Sequence, residues 1–140
     1  DLPPEEADEL TGPLKAAGLD LIFLTAPTTD AARLPTVLEK ASGFVYYVSI
    51  TGITGTASAS EETIAAAVKR LRGHTQLPLA VGFGIRTPEQ AAAGARPADA
   101  AGGGSALVQM VADHLGQPGL VDQTLKAVKA LADGVRSART

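Results

Sequence analysis

Two apolar runs in this chain end in glycine and pass directly into a helix start. Leu79-Ala80-Val81-Gly82-Phe83-Gly84 precedes Thr87-Pro88-Glu89-Gln90, and Ala100-Ala101-Gly102-Gly103-Gly104 precedes Ser105-Ala106-Leu107. A strand feeding a glycine turn and then a helix leaves backbone N–H groups aimed at one spot. That spot also feels the positive end of the helix dipole, so it suits a phosphate. For the turn at residues 82–84 alone, a strand end that needs glycine conformations is the plainer reading. The second turn at Gly104-Ser105 tips the balance toward phosphate binding. Gly102 and Gly103 read as flexible filler.

The same alternation runs through the rest of the chain. Pro3-Pro4 followed by Glu5-Glu6 is helix-start chemistry, and Ala7, Leu10, Leu14 and Ala17 recur at helical spacing before Gly18. Residues 19–25 form an apolar run that predicts a buried strand. A helix is expected over 31–40, with Pro35 tolerable in its first turn. A β-branched and aromatic strand follows at 44–50, and then a loop of small residues at 51–60. Ile64, Val68 and Leu71 mark one face of a helix over 61–73. A strand is expected at 79–82, a helix opened by Thr87 and Pro88, and a strand at 98–103. Helices over 105–115 and 117–136 complete the chain, the last with Val121, Leu125, Val128 and Leu131 as its apolar stripe.

Four strands alternating with helices imply a parallel sheet in one α/β domain covering residues 1–140. The strands read as continuous apolar runs, as in parallel sheets. Two architectures fit: an open doubly wound sheet, or half of a (β/α)8 barrel, which needs about 250 residues when complete. Paired glycine turns late in the repeat favour the barrel, whose phosphate site is built by the loops after strands seven and eight. The opening, Asp1 with a helix start and no preceding strand, fits a chain that begins partway through such a repeat.

Composition removes several function classes. Net charge is −3 with no basic run, which argues against nucleic acid and against anionic membranes. No apolar run approaches the roughly 18 residues of a membrane span. There is no cysteine, so thiolate metal sites are excluded and a reducing compartment, the cytoplasm, is expected. No metal site is expected elsewhere. His74 and His114 stand near helix ends and read as helix-terminal groups. Asp20, Asp30 and Asp99 read as structural, Arg86 as solvated, and Glu5-Glu6 as a helix-start pair. Tyr46 and Tyr47 are neighbours on one strand and must face opposite ways, with Tyr47 in the core.

The run Tyr46-Tyr47-Val48-Ser49-Ile50-Thr51-Gly52-Ile53-Thr54-Gly55, the Gly82-Phe83-Gly84-Ile85 turn and the Gly104-Ser105-Ala106-Leu107-Val108 turn occur in that order. Together with the opening Asp1-Leu2-Pro3-Pro4-Glu5-Glu6, they resemble the tryptophan synthase alpha chain family over essentially the whole sequence, as the C-terminal half of its (β/α)8 TIM barrel. The resemblance implies a lyase of tryptophan biosynthesis that cleaves indole-3-glycerol phosphate to indole and glyceraldehyde 3-phosphate. It implies a beta chain as partner, with pyridoxal phosphate in that partner and no cofactor in this chain. Gly84, Gly104 and Ser105 match phosphate-binding positions, as does Gly55 at the end of the lid loop. Tyr46 and Phe83 match residues flanking the indole ring, and Thr54 matches the loop threonine that closes over the site.

The family's catalytic glutamate and aspartate lie in segments with no counterpart here. No catalytic residue is therefore expected in this chain, and the 140 residues alone are expected to be inactive. The family places bulky aliphatics before the Gly-Ser turn, where this chain has small residues. Gly94 is expected to weaken its helix. Two open sheet edges predict self-association. The alternatives are a non-catalytic, flavodoxin-like module for a phosphorylated ligand, a related tryptophan or histidine biosynthetic isomerase, and a degenerate or engineered scaffold. The lid sequence argues against the isomerases.

Overall fold

A computed structural model describes residues 2–49 and 60–138. A single turn of 3-10 helix at Pro4–Glu6 leads into α1 (Asp8–Ala16). Then follow β1 (Phe23–Thr25), α2 (Leu34–Glu39), β2 (Val45–Val48), α3 (Glu61–Arg72), β3 (Leu79–Gly82), α4 (Pro88–Ala95), β4 (Ala100–Gly102), α5 (Ser105–Asp113) and α6 (Leu120–Ser137). The strands form one sheet in the order β1-β2-β3-β4, and every neighbouring pair is parallel. The strand–helix alternation read from the sequence is thus present throughout.

The helices start where local chemistry directs them. Ser60 caps α3 by accepting from the Thr63 N–H at 3.3 Å. Thr87 and Gln90 form a reciprocal capping box at α4, and Pro88 occupies its first turn. Pro35 likewise sits in the first turn of α2. Gly18 ends the α1 region with φ +70°, where an L side chain is strained.

Alternation along the strands separates two faces. Phe23, Thr25, Val45, Tyr47, Leu79 and Val81 are all buried. All but Phe23 and Thr25 join one core with Leu34, the α3 face Ile64, Val68 and Leu71, and Ala91 of α4. Leu131 and Val135 of α6 pack on that core. Phe23 instead packs with Ala7 and Val37 in a smaller cluster beneath β1. The opposite face carries Leu24, Tyr46, Val48, Ala80, Gly82, Ala100 and Gly102 in register. Leu24 is 47% exposed there, so helices cover one side of the sheet.

Asp99 ties β3 to β4. Its backbone N–H donates to Leu79 O (2.9 Å), its carboxylate accepts from the Leu79 N–H (2.7 Å), and it pairs with Arg72. Asp30 accepts from the Arg33 N–H at 2.8 Å, and Asp20 lies against Gly43. The structural reading of these three acids holds. Glu5 forms a two-pronged pair with Arg33, which holds its carboxyl below the usual range.

Three expectations need correction. β1 is confined to Phe23–Thr25, because the preceding backbone is held by a loop: the Leu21 N–H donates to Ser42 Oγ (3.0 Å), and the Ser42 N–H donates to Leu21 O (3.2 Å). α2 begins at Leu34, the residue just before Pro35. The α6 stripe is buried only toward its C-terminal end. Val121 is 69% and Leu125 60% exposed, because the sheet stops at β4 and no described element lies beyond it. Beside that edge runs an apolar groove of about 360 Å³ lined by Ala101, Gly103, Leu107, Val128 and Leu131.

Among the described residues the outer edges of β1 and β4 have no strand partner and the α6 stripe is largely exposed, which makes association the expected behaviour of this chain in isolation. Light scattering should give a mass above the monomer that falls on dilution, and a Val121→Lys/Leu125→Lys variant should lower it. A concentration-independent monomer with a sharp unfolding transition would contradict this.

Candidate functional site

The site sits at the C-terminal tips of β2, β3 and β4. Beyond β2, Ser49 is buried, and both its N–H and its hydroxyl donate to Gly82 O, at 2.9 and 3.0 Å. These bonds join the tips of β2 and β3. Gly82 pairs in register with Gly102, so the two glycine turns leave the sheet side by side. Gly103 confirms the adjacency: a Cβ there would stand 3.2 Å from Ile85 Cβ. Gly84 and Gly104 each lie two residues past that paired rung.

The turn after β3 is held from below. Phe83 and Ile85 are both buried in the helix-side core. Gly84 lies between these two anchors with φ +70°. The ring of Phe83 fills the space that a Cβ on Gly94 of α4 would need. Gly94, expected to weaken its helix, is thus the seat of an aromatic ring. It also follows that Phe83 and Tyr46 lie on opposite sides of the sheet.

Tyr46 lies on the open face and crosses β3. A Cβ on Gly82 would collide with its hydroxyl, and one on Gly102 would stand 2.8 Å from it. Gly102 therefore cannot be filler, because a ring two strands away requires it to be bare. Sequence reading missed this, although strand parity would place residues 46, 82 and 102 on one face. It also missed Leu24, the register neighbour of Tyr46 on that face. Tyr47 is in the core as expected, and burial raises its pKa.

The two helix starts differ in what they offer an anion. At α4, Gln90 Oε1 accepts from the N–H groups of Arg86 (2.8 Å) and Thr87 (3.2 Å), and Thr87 Oγ1 accepts from the Gln90 N–H (3.3 Å). Glu89 bonds to its own amide and to Thr87, which hold its carboxyl below the usual range. That helix end is occupied by its own side chains. At α5, the cap residue Gly104 has no side chain to fold back. Its carbonyl accepts from the N–H groups of Leu107 and Val108, both at 3.0 Å. The amides of Ser105 and Ala106 precede the first intrahelical donor, and with the Ser105 hydroxyl they form a donor set without a capping acceptor.

Gly84, Gly104 and Ser105 are therefore on neighbouring strand tips, and Tyr46 lies beneath them on the open face. Thr54 and Gly55 lie outside the described residues. The open-face strand positions carry no carboxylate. Among the described residues no cluster of three metal-ligating side chains exists. His114 Nδ1 bonds to Met110 O at 2.9 Å and His74 follows α3, as helix-terminal groups.

Alanine is the better helix former by about 1 kcal/mol, yet overpacking a core costs about 1–3 kcal/mol. Gly94→Ala is therefore expected to destabilise the chain, read as a lower urea midpoint, and Phe83→Leu should relieve it. A gain in stability from Gly94→Ala alone would place the Phe83 ring elsewhere.

Residues 1–138 match the family model described as the tryptophan synthase alpha chain. The fold is similar to tryptophan synthase of Mycobacterium tuberculosis, with TM-score 0.82 and 36% identity over 97% of this chain and 49% of that one. It is also similar to tryptophan synthase subunit alpha of Legionella pneumophila, with TM-score 0.75 and 35% identity over 99% of this chain and 49% of that one. A structure from Aquifex aeolicus matches at TM-score 0.77 and 36% identity, over 96% and 48%. The chain spans about half the length of these relatives. With the family match over nearly its full length and a half-barrel sheet ending in two adjacent glycine turns, the chain belongs to the tryptophan synthase alpha chain family.

Proposed function

We propose that this chain supplies the phosphate cradle, the lid and part of the ring wall for cleavage of indole-3-glycerol phosphate to indole and glyceraldehyde 3-phosphate. The observation that carries the reading is the in-register pair Gly82–Gly102, which sets two glycine turns side by side, one of them opening an uncapped helix. The substrate phosphate would accept hydrogen bonds from the Ser105 and Ala106 amides and the Ser105 hydroxyl, with Gly84 and Gly104 forming the approach. The indole would lie on the open face against Tyr46 and Leu24, while Phe83 holds the Gly84 turn from the helix side. Thr54 and Gly55 would close over it as lid residues.

Cleavage breaks the bond between indole C3 and the adjacent glycerol carbon. A proton is delivered to the indole, and one is removed from that carbon's hydroxyl as the aldehyde forms. Both transfers require positioned carboxylates, which the open-face strand residues do not provide. This chain thus binds and orients, and the acid and base belong to a complementary segment. Indole would pass to a beta chain that carries pyridoxal phosphate, and no cofactor belongs to this chain. The setting is the cytoplasm. No described helix is long and apolar enough to cross a membrane.

Titration with glycerol 3-phosphate and with indole propanol phosphate tests this reading. Both should bind, the indolyl ligand more tightly. Binding of glycerol 3-phosphate with no gain from the indole ring would favour a non-catalytic phosphate module, which the lack of open-face carboxylates also suits. Binding of neither would overturn the cradle.

Ser105→Ala is expected to weaken both ligands alike by about tenfold, the scale of one hydrogen bond to a charged group. Calorimetry on the variant checks this, and an unchanged affinity would remove the hydroxyl from the site.

A further inference from the structure

We propose that Gly102 is a positioning residue: with Gly82 it forms a side-chain-free slot that lays Tyr46 across β3 and thereby sets the room left for the aromatic part of the ligand. The proposal rests on the reading of the open face as the ring wall, and it assigns that wall's geometry to a residue that touches no ligand itself. Tyr46 pairs in register with Ala80, one rung below Gly82. Its ring therefore runs diagonally toward the strand tips. A Cβ on Gly102 would lie 2.8 Å from Tyr46 Oη, 3.0 Å from Cε2 and 3.3 Å from Cζ. A Cβ on Gly82 would lie 2.7 Å from Cζ and closer still to the hydroxyl.

Neighbouring strands stand about 4.8 Å apart, so a tyrosine on β2 reaches β4 only if its ring lies nearly flat on β3. Any side chain at either glycine lifts the ring off the sheet. A flat Tyr46 leaves Leu24 and Ala100 exposed on either side of the buried Ala80, so that this row forms an apolar floor one rung below the phosphate turns. A raised Tyr46 would occupy the volume above that floor. The slot thus selects ligands with a flat apolar group on the floor and an anionic group at α5. The same slot brings a phenol hydroxyl to the β4 rung that leads into Gly103 and Gly104.

Gly102→Ala tests the slot in the whole chain labelled with ¹³C-tyrosine, whose only tyrosines are Tyr46 and Tyr47. The ring resonances of Tyr46 should move while those of Tyr47, on the other face, stay. Gly103→Ala, whose Cβ would meet Ile85 instead, should leave Tyr46 in place. Affinity for indole propanol phosphate should fall by about tenfold or more, with glycerol 3-phosphate within about twofold, as expected when only the ring floor is obstructed. Tyr46→Phe removes the atom nearest the new Cβ and should restore part of the loss.

An unmoved Tyr46 resonance, or an equal loss for both ligands, would overturn the proposal. Should wild type bind neither ligand, the proposed function fails, while the tyrosine resonances still decide whether the slot exists. Should Gly102→Ala fail to fold, the Gly102→Ala/Tyr46→Phe double variant decides. Recovery of folding supports the slot, and persistent unfolding assigns the defect to some other contact and rejects it.

Discussion

The structure depends on one constraint, the two-residue alternation of side chains along four parallel strands. It sends Val45, Tyr47, Leu79 and Val81 into a core with α3, α4 and α6. It sends Tyr46, Gly82 and Gly102 the other way. The first set holds the sheet together by burial, at about 25 cal/mol per Å² of apolar surface. The second set contributes little burial and is shaped by what it must leave open. Stability and candidate chemistry are thus placed on opposite faces of the same backbone. A one-residue slip in any strand would exchange them.

Glycine serves two purposes here. Gly84 takes a left-handed conformation that turns the chain away from β3. Gly82, Gly94 and Gly102 instead give up a side chain so that an aromatic ring can lie against the backbone. A glycine in a strand or helix interior costs about 1 kcal/mol relative to alanine. Burying an aromatic ring returns more than that, since such a ring covers about 150–250 Å². Gly94 is accordingly a packing element of α4, bound to Phe83, and Gly134 does the same for α6 by letting it approach the backbone of Pro88.

Features whose cause is local were legible in the sequence. The edges of α3 and α4 follow from Ser60, Thr87, Pro88 and Gln90, all within one turn of the helix they start. β3 matches its apolar run residue for residue, whereas β2, also inside the sheet, spans Val45–Val48 of a run expected at 44–50. β1 and β4 lie at the edges and are shorter than their apolar runs. The α6 periodicity is real, but periodicity states that a face is apolar and not that a partner covers it. The purpose of Gly102 depends on Tyr46, far away in sequence and two strands away, and no local signal carries that. Phe83 illustrates the same limit. Its position beside two glycines suggests a site wall, while its burial against Gly94 makes it a core group.

The contrast between α4 and α5 shows how one motif, used twice, yields one candidate anion site. Both helices follow a glycine turn and both direct a positive dipole end at the same edge of the sheet. At α4 the chain's own Gln90 and Glu89 neutralise that end, and this fixes the turn below it. At α5 the cap is glycine, so no cap side chain meets the equivalent donors. The first end is closed by the chain itself, and the second is left without a side-chain cap. Their strands are locked in register by Gly82 and Gly102 and by the Asp99 bonds at the far end of β4. The rigid turn therefore braces the open one. The anion side of the candidate site thus rests on two braced turns, while the open face begins at the exposed Leu24 on edge strand β1.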